Sequence, residues 1–411
     1  MTNHLFSPLV LPNGAFLPNR IAKAAMSENM AGSGQLPDER MAHLYKTFAK
    51  GGAGLMITGN VMIAPLALGE PGNIVLQRNT DLAPFRRWAQ SARTHGGHIW
   101  MQINHPGRQV MADMGQPGWA PSEVAMNLGK HSKLFAKPQV LNEDKIKQII
   151  QQFANTARQA EAAEFNGVQI HAAHGYLISQ FLSPLTNLRQ DQWGGSLLNR
   201  ARLLIEVVKA VKAVVDPKFC ISVKLNSADF QRGGFSSTDA LEVVKMLNDY
   251  AIDLVELSGG NYESPALAGE TSDDSTLARE AYFLDFATEI AKVAGMPIMT
   301  TGGIRRRVIA EKVLNQGVAM VGIATALAMD PYLPKAWQEG KFKDGLRPEL
   351  DFKDKAVKGL IGLAYMERQL QRIGAGKTPN PSINPIFSLI RHLIRNKALT
   401  HRYLSWAKKA S

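Results

Sequence analysis

Short apolar runs recur along the chain and alternate with longer segments in which apolar residues return every three to four positions. The short runs are apolar on both faces, which is typical of parallel strands covered by helices on each side. The clearest helical segments are residues 142–164, 196–215, 236–250 and 279–294. The eight predicted strands are residues 21–26, 54–58, 98–103, 167–170, 220–225, 253–257, 297–301 and 319–323.

A strand followed by a helix, repeated eight times, predicts an α/β fold in which the strands close into a (β/α)₈ barrel. An open, doubly wound sheet is the alternative, because periodicity alone does not show that a barrel closes. The residues before Asn19 predict an N-terminal hairpin with its turn at Pro12, Asn13 and Gly14. Such a hairpin is expected to close the lower mouth of the barrel.

Composition narrows the protein class. Of the 411 residues, 45% are hydrophobic and 20% are charged, which is ordinary for a globular chain. The single cysteine, Cys220, excludes an intramolecular disulfide, cysteine-rich zinc sites and iron–sulfur clusters. The first residues lack the basic flank and apolar run of a signal peptide. We therefore expect a cytoplasmic protein.

The formal charge of +12 is concentrated at the C-terminal end. No acid follows Glu367, whereas nine lysines and arginines do. The preceding residues carry 38 bases and 35 acids, a net charge of only +3. A local basic segment of this kind does not make the whole chain a nucleic-acid binder, so no nucleic-acid partner is expected. We predict a barrel domain over residues 1–340 and a basic helical extension over residues 341–411.

The extension carries an apolar stripe at helical spacing. Its members return at intervals of three and four residues, whereas Arg391, Arg395 and Lys397 fall largely outside it, and a helix break is predicted near Thr400. The stripe is expected to pack on the barrel or on a second subunit. Peripheral contact with an anionic membrane and disorder are the alternatives. The stripe residues are Ile386, Leu389, Ile390, Leu393 and Ile394.

Candidate chemistry lies at the strand ends, where barrels place their active sites. His171 and His174, three residues apart after the fourth strand, are suited to donating two hydrogen bonds to a carbonyl oxygen that gains negative charge. Tyr176 is suited to donating a proton. A metal site lacks further ligands nearby, and structural histidines are the remaining alternative.

Two further positions indicate an anion. Gly302 and Gly303 follow the seventh strand and precede a helix, a common place for a phosphate in barrels. Lys224 lies on the fifth strand, where an inward charge is costly unless it is paired. It therefore predicts an anionic partner inside the barrel.

Several segments together resemble the old yellow enzyme family of FMN-dependent NAD(P)H oxidoreductases, especially its bacterial branch. The resemblance extends to about residue 340. It is carried by LFSPLVLPNGAFLPNRI at the start, GGAGLMITGN at the second strand, QINHPGR from Gln102, HAAHGYLISQFLSPLTNLRQDQWGGSLLNRARL from His171, TTGGI from Thr300 and DPYLP from Asp330.

The resemblance implies FMN as cofactor and NADPH or NADH as reductant. By the family pattern, Gln102 contacts the pyrimidine ring of the flavin and Lys224 lies near its N1 edge, where a cation raises the reduction potential. His171 and His174 grip the substrate oxygen, and Tyr176 is the proton donor. The remaining cofactor-binding positions are Ala25, Met26, Ser27, Asn60, Gly302, Gly303, Ala324 and Thr325.

Three positions depart from the family pattern. Ser27 stands where threonine or cysteine is usual, and Lys224 stands where arginine is usual. Ala324 and Thr325 replace a Gly-Arg pair, so the usual phosphate-binding arginine is missing. Arg305 or Arg306 is a candidate substitute.

The implied reaction has two halves at one site. NAD(P)H reduces FMN and leaves, and an α,β-unsaturated carbonyl compound then takes up hydride at its β-carbon and a proton from Tyr176 at its α-carbon. A non-catalytic barrel that docks through its basic tail is one alternative. The other is an aldolase or isomerase barrel that uses Lys224 as a Schiff base.

Overall fold

The computed structural model describes residues 5–264, 280–348, 350, 352 and 355–410. Its centre is a ring of eight parallel strands, each hydrogen-bonded to the next along the chain. Pairing of the last strand with the first, Val321 with Ile21, closes the ring. The predicted barrel is confirmed, and the open sheet is wrong. The strands are β1 (Ile21–Lys23), β2 (Leu55–Ile57), β3 (His98–Asn104), β4 (Gly167–Ala172), β5 (Cys220–Asn226), β6 (Leu254–Ser258), β7 (Ile298–Thr300) and β8 (Met320–Ile323).

Helices cover the outside of the ring. Three of the four helices over the predicted helical segments begin at capped positions: Asn142, Ser196 and Ser236 each accept a backbone N–H of the first turn. Of the segment 279–294, residue 279 lies outside the described residues. The helices are α1 (Glu39–Lys50), α2 (Ala83–Arg93), α3 (Glu143–Ala162), α4 (Leu177–Leu182), α5 (Leu197–Lys212), α6 (Ser237–Leu247), α7 (Leu284–Ala291), α8 (Arg307–Asn315), α9 (Thr325–Met329), α10 (Leu333–Gln338), α11 (Lys355–Gly374) and α12 (Pro385–Ala410).

The predicted N-terminal hairpin is confirmed. Leu9–Val10 pairs antiparallel with Phe16–Leu17. Leu17 is buried against residues at the starting ends of the strands, among them Trp100 and Met320. At the turn, the Asn13 side chain donates to the carbonyl of Lys218 at 3.0 Å. The hairpin therefore closes the lower end of the barrel.

The two C-terminal helices pack against the upper half of the barrel. Helix α11 lies against α1, and α12 lies against α11 and against the short 3₁₀ helices Ser33–Gln35 and Ala112–Met114. No helix among the described residues is long and apolar enough to cross a membrane.

The apolar stripe was expected to pack on the barrel or on a second subunit, and packing on the barrel is wrong for most of its members, whereas packing on a second subunit stays a prediction. Ile386, Ile390, Leu393 and Ile394 are exposed, and Leu389 is half-buried. The opposite side of α12, which includes Ser388 and His392, is buried instead, because its polar groups hydrogen-bond to α11. The break predicted near Thr400 is absent, since α12 runs without interruption through this residue.

Candidate active site

The carboxyl ends of the eight strands meet at the upper mouth of the barrel, and every predicted site residue lies there. Gln102, His171 and Lys224 lie on β3, β4 and β5 and are buried. The residues that follow the ends of other strands are half-buried, so their surface is accessible from the mouth. These are Ala25, Met26, Ser27, Asn60, Ala324 and Thr325.

Lys224 has an anionic partner within the protein that the sequence prediction missed. Its ammonium donates to Glu256 on β6 at 2.7 Å, and both side chains are buried. Gln169 donates to the other oxygen of Glu256 at 2.9 Å, and Gln102 donates to Gln169 at 2.7 Å. This chain of contacts joins four neighbouring strands and fixes Gln102 and Lys224 relative to each other. The sequence signal for this partner of Lys224 was an acid, Glu256, within the apolar sixth strand.

A second cation, Lys23, also lies on a strand of the barrel. Lys23 on β1 is fully buried and donates to the Tyr45 hydroxyl at 2.9 Å and to the carbonyl of Ile57 at 2.7 Å. Glu28 lies 3.8 Å from it. Burial lowers the pKa of Lys23 to about 8.

His171, His174 and Tyr176 form one compact group at the end of β4. The ring centroids of His171 and His174 are 5.0 Å apart, and those of His171 and Tyr176 are 4.8 Å apart. His174 has the left-handed backbone φ of 61°. Asn226 on β5 holds this conformation by accepting the His174 N–H at 3.1 Å, and Gln109 donates to the His174 carbonyl at 3.1 Å.

Both imidazoles are neutral. Burial, followed by the charge of Lys224, lowers the pKa of each ring well below its ordinary value. Nδ1 of His171 accepts the backbone N–H of Ala173 at 3.2 Å, so the ring proton is on Nε2. The Nε2 atom of His174 lies 2.7 Å from the hydroxyl oxygen of Ser258 on β6.

The Tyr176 hydroxyl lies in a polar cluster. Asn60 donates to it at 3.4 Å, and the hydroxyl of Tyr262 lies 3.1 Å away. Burial, and then the negative charge of Glu70, raises the pKa of Tyr176 to about 12. The phenol therefore keeps its proton at neutral pH. Tyr262, on the loop after β6, was not predicted from the sequence.

Ser27 is bound to an acid that the sequence prediction also missed. Its hydroxyl donates to Glu70, which lies on the loop after β2. Burial, and then the charge of Glu367 on α11, raises the pKa of Glu70 from 4.5 to about 7. The hydroxyl at this family position is therefore turned toward a carboxyl group of the protein itself.

The C-terminal helices add a buried polar cluster beside Glu70. Glu367 accepts hydrogen bonds from Asn29, after β1, at 3.2 Å and from Nδ1 of His392 on α12 at 3.0 Å. Asn396, one turn beyond His392, accepts from the Asn29 amide at 2.8 Å. Because Asn29 is 338 positions from Glu367 and 367 positions from Asn396, no local sequence signal brings it to this cluster.

The turn after β7 binds a carboxylate of the protein itself, that of Glu280. Gly302 and Gly303 have φ of 113° and 73°, which the absence of a Cβ permits. Just beyond them, the backbone N–H groups of Arg305 and Arg306 each donate to the Glu280 carboxylate at 3.2 Å. Both guanidinium groups pair with the same carboxylate. The two arginines considered as substitutes for the phosphate-binding arginine thus contact Glu280 in this structure.

These observations fit a flavin nucleotide. At the ends of β2 and β3, Oδ1 of Asn60 and both amide atoms of Asn104 are buried without a partner among the described residues, and buried polar atoms ordinarily have one. The carboxylate of Glu280 shows that the turn after β7 accepts an oxyanion. Unpartnered amide oxygen and nitrogen atoms near one side of the mouth and an anion-binding turn at the other match the two ends of FMN.

The sequence model of the NADH:flavin oxidoreductase / NADH oxidase family matches residues 4–344. The chain belongs to this family. It is therefore an FMN-dependent oxidoreductase of the old yellow enzyme type that uses a reduced nicotinamide nucleotide, as the resemblance implied. Both alternative functions lose their support, and a lysine held as an ion pair by Glu256 is a poor Schiff-base nucleophile.

Relatives in fungi and bacteria share this family. The chain is 38% identical to the NADH-dependent flavin oxidoreductase iliE of Hypocrea jecorina (strain QM6a), over 81% of this chain and 88% of the relative. It is 31% identical to the NADPH dehydrogenase of Listeria welshimeri, over 78% and 90%. The structure of the old yellow enzyme homologue from Zymomonas mobilis superposes with a TM-score of 0.71 at 28% identity, over 83% of this chain and 94% of that one.

Proposed function

We propose that this flavin oxidoreductase reduces the C=C bond of α,β-unsaturated carbonyl compounds, and that His171, His174 and Tyr176 act on that substrate. The observation that carries the proposal is the group of two neutral imidazoles and one protonated phenol, with centroids 4.8 to 5.0 Å apart, at one strand end. An enone has the same three requirements, namely two hydrogen bonds to oxygen and a proton for carbon.

The two histidines polarise the carbonyl. Nε2 of His171 donates to the substrate oxygen. In His174, Nε2 accepts the Ser258 hydroxyl proton, so that Nδ1 carries the ring proton and donates to the same oxygen. Because both rings are buried and neutral, they stabilise the negative charge that develops on oxygen without requiring a net charge in the free site. The backbone contacts of His174 with Asn226 and Gln109 keep its ring in place.

Tyr176 delivers the proton to the α-carbon. Its pKa of about 12 means that the phenol is protonated throughout the physiological range. As the α-carbon gains carbanion character, it becomes more basic than a phenolate. The contacts with Asn60 and Tyr262 stabilise the phenolate left behind.

The other mouth residues are proposed to hold FMN, which, when bound, accepts a hydride from NAD(P)H and passes one to the β-carbon. Gln102 and Lys224 would contact the ring, and Ala25, Met26, Ser27 and Asn60 would line it. The phosphate is assigned to Gly302, Gly303, Ala324 and Thr325, of which the glycines lie in the anion-binding turn.

Three finer points remain proposals. We propose that the chain belongs to the bacterial branch of the family, although the matched relatives include fungal proteins at higher identity. We propose a cytoplasmic location, which the single, buried and unpaired Cys220 suits. We also propose that the chain divides into a barrel domain at residues 1–340 and an extension at residues 341–411.

An anaerobic titration tests the function. NADH or NADPH should bleach the flavin band of the purified protein, and cyclohexenone should restore it. In Tyr176→Phe, bleaching should be unchanged and restoration slower by about 100-fold or more. The matched control Tyr262→Phe removes the neighbouring hydroxyl and should stay within about tenfold. Equal loss of both steps in Tyr176→Phe would show a structural phenol, and no loss in either would assign the proton to another group.

A further inference from the structure

Helix α12 presents a continuous apolar surface to solvent. The exposed fractions are 49% for Ile386, 56% for Phe387, 49% for Ile390, 54% for Leu393 and 68% for Ile394. We call these five residues the α12 stripe. They recur at i, i+1, i+4, i+7 and i+8, so they share one side of the helix. Single exposed apolar residues are common on proteins, whereas a contiguous group of five marks an interaction surface.

The helix cannot turn this side inward. On the opposite side, His392 is held by Glu367 at 3.0 Å, and the Tyr403 hydroxyl donates to the carbonyl of Pro65 at 3.0 Å. Arg402 donates to the carbonyl of Ala31. Rotating α12 to bury the stripe would break these contacts and would expose a buried ion pair. The orientation of the stripe is therefore fixed, and its binding partner is another molecule or a membrane surface.

Charge indicates what kind of partner fits. Arg391 follows Phe387 by one turn and Lys397 follows Leu393 by one turn, and both are exposed. The Arg368 guanidinium lies 5.0 Å from the centre of the Phe387 ring. Since the sequence has no acid after Glu367, no negative charge from this segment offsets them. A second copy of the helix would place these like charges together, whereas an anionic surface would neutralise them.

We propose that α12 docks this protein onto an anionic lipid bilayer. The helix lies along the membrane surface, with the α12 stripe in the boundary between headgroups and acyl chains and with Arg391 and Lys397 among the lipid phosphates. An aliphatic strip beside basic residues is the composition of helices that bind in this position.

Co-sedimentation of the full-length holoprotein with vesicles tests the proposal. Vesicles of phosphatidylcholine mixed with phosphatidylserine should pellet the protein, those of phosphatidylcholine alone should pellet much less, and high salt should release it. The double variant Ile390→Ser and Leu393→Ser should reduce the bound fraction by about tenfold or more. Its matched control is Leu198→Ser, which alters a side chain on α5 with 62% exposure and should bind as the unchanged protein does. Equal flavin content and melting temperature show that both variants are folded.

Three results would overturn the proposal. One is no pelleting with the anionic vesicles, and another is pelleting that the stripe variant and its control share. The third is a dimer of the unchanged protein in sedimentation velocity that the stripe variant dissociates, with no vesicle binding. This last result would assign the α12 stripe to self-association. None of the readouts depends on catalysis, so they are independent of the proposed function.

Discussion

At the scale of single residues, the mouth of the barrel depends on pairs of charges that lie out of contact with water. Lys224 and Glu256 are 2.7 Å apart and both are buried. A buried pair of this kind contributes little net stability, yet the loss of one member leaves the other charge unpaired. The effects of substituting the two residues should therefore be strongly non-additive.

Lys224→Ala should lower the free energy of unfolding by about 3 to 5 kcal/mol, because it leaves Glu256 buried without a counter-ion. Adding Glu256→Gln should recover much of this loss, since the amide keeps a hydrogen bond to Gln169 without a charge. Urea denaturation of the two single variants and the double variant measures the coupling. The exposed pair Lys292 and Glu289 is the control, and Lys292→Ala should cost less than about 1 kcal/mol. Additive effects at the buried pair would contradict this account.

Glu70 gives the stability a pH dependence of known sign. Its pKa is about 7 in the folded protein and 4.5 ordinarily, so folding takes up a proton between these values. The stability contributed by the protonated form is complete below about pH 4.5 and is lost as the pH rises through about 7. Glu70→Gln removes this titration. Relative to the unchanged protein, the free energy of unfolding of the variant should increase by about 1 to 3 kcal/mol between about pH 5 and pH 8.

Ser27→Ala tests the effect of the neighbouring hydroxyl on the pKa of Glu70. The Ser27 hydroxyl donates to Glu70 and thereby opposes the rise in its pKa. Its removal should raise the pKa of Glu70 further and steepen the loss of stability toward alkaline pH. Urea midpoints at several pH values test both variants. A gain in Glu70→Gln that is equal at all pH values would show that the carboxyl does not titrate as described.

At the scale of elements, α12 illustrates how buried polar contacts decide which side of a helix faces the protein. Its apolar side is exposed, whereas Ser388 and His392 are buried. Glu367 links His392 to Asn29 and so joins α12, α11 and the segment after β1. Since unsatisfied buried groups are costly, this network, rather than the number of apolar side chains, fixes the orientation.

Glu367→Ala should loosen α12 without unfolding the barrel. It leaves Nδ1 of His392 without its acceptor and leaves the Asn29 amide with Asn396 as its remaining acceptor, at a cost of about 3 kcal/mol. Hydrogen–deuterium exchange across residues 385–410 should accelerate, whereas exchange in β3 to β5 should not. Glu339→Ala, which removes only the exposed contact with Lys341, is the control. Unchanged protection of α12 in Glu367→Ala would show that other contacts hold the helix.

At the scale of the whole molecule, the barrel and the C-terminal helices share buried contacts. Tyr403 donates to the carbonyl of Pro65, and its hydroxyl lies 3.2 Å from Oε1 of Gln116, both on loops above the strands. Glu367 and His392 lie beside Glu70, which contacts the mouth residue Ser27. The extension is therefore part of the wall around the candidate active site.

This continuity predicts a single unfolding transition. Calorimetry of the full chain should give one endotherm, because loss of α11 and α12 would expose unpaired groups at the barrel mouth and destabilise it. Two separated transitions, with the flavin retained through the first, would instead show that the extension unfolds as an independent unit.

Local information in the sequence predicted the alternation of strands and helices, the N-terminal hairpin and the grouping of His171, His174 and Tyr176 at the end of β4. Strand and helix periodicity is set by neighbouring residues, and His171, His174 and Tyr176 lie within six positions on one strand end, so their proximity requires no long-range knowledge. The family resemblance added the cofactor and the roles proposed for these residues.

Tertiary structure alone decided the partners of the charged groups and the outward face of α12. Lys224 meets Glu256 only because β5 and β6 pair in register, and the charge of Glu367 raises the pKa of Glu70 from almost 300 positions away in the sequence. The amphipathic pattern of α12 could not show its orientation, because burial depends on the polar groups that the rest of the fold offers to each side of the helix. Sequence periodicity records which residues share a face, and only the packed chain determines which face is covered.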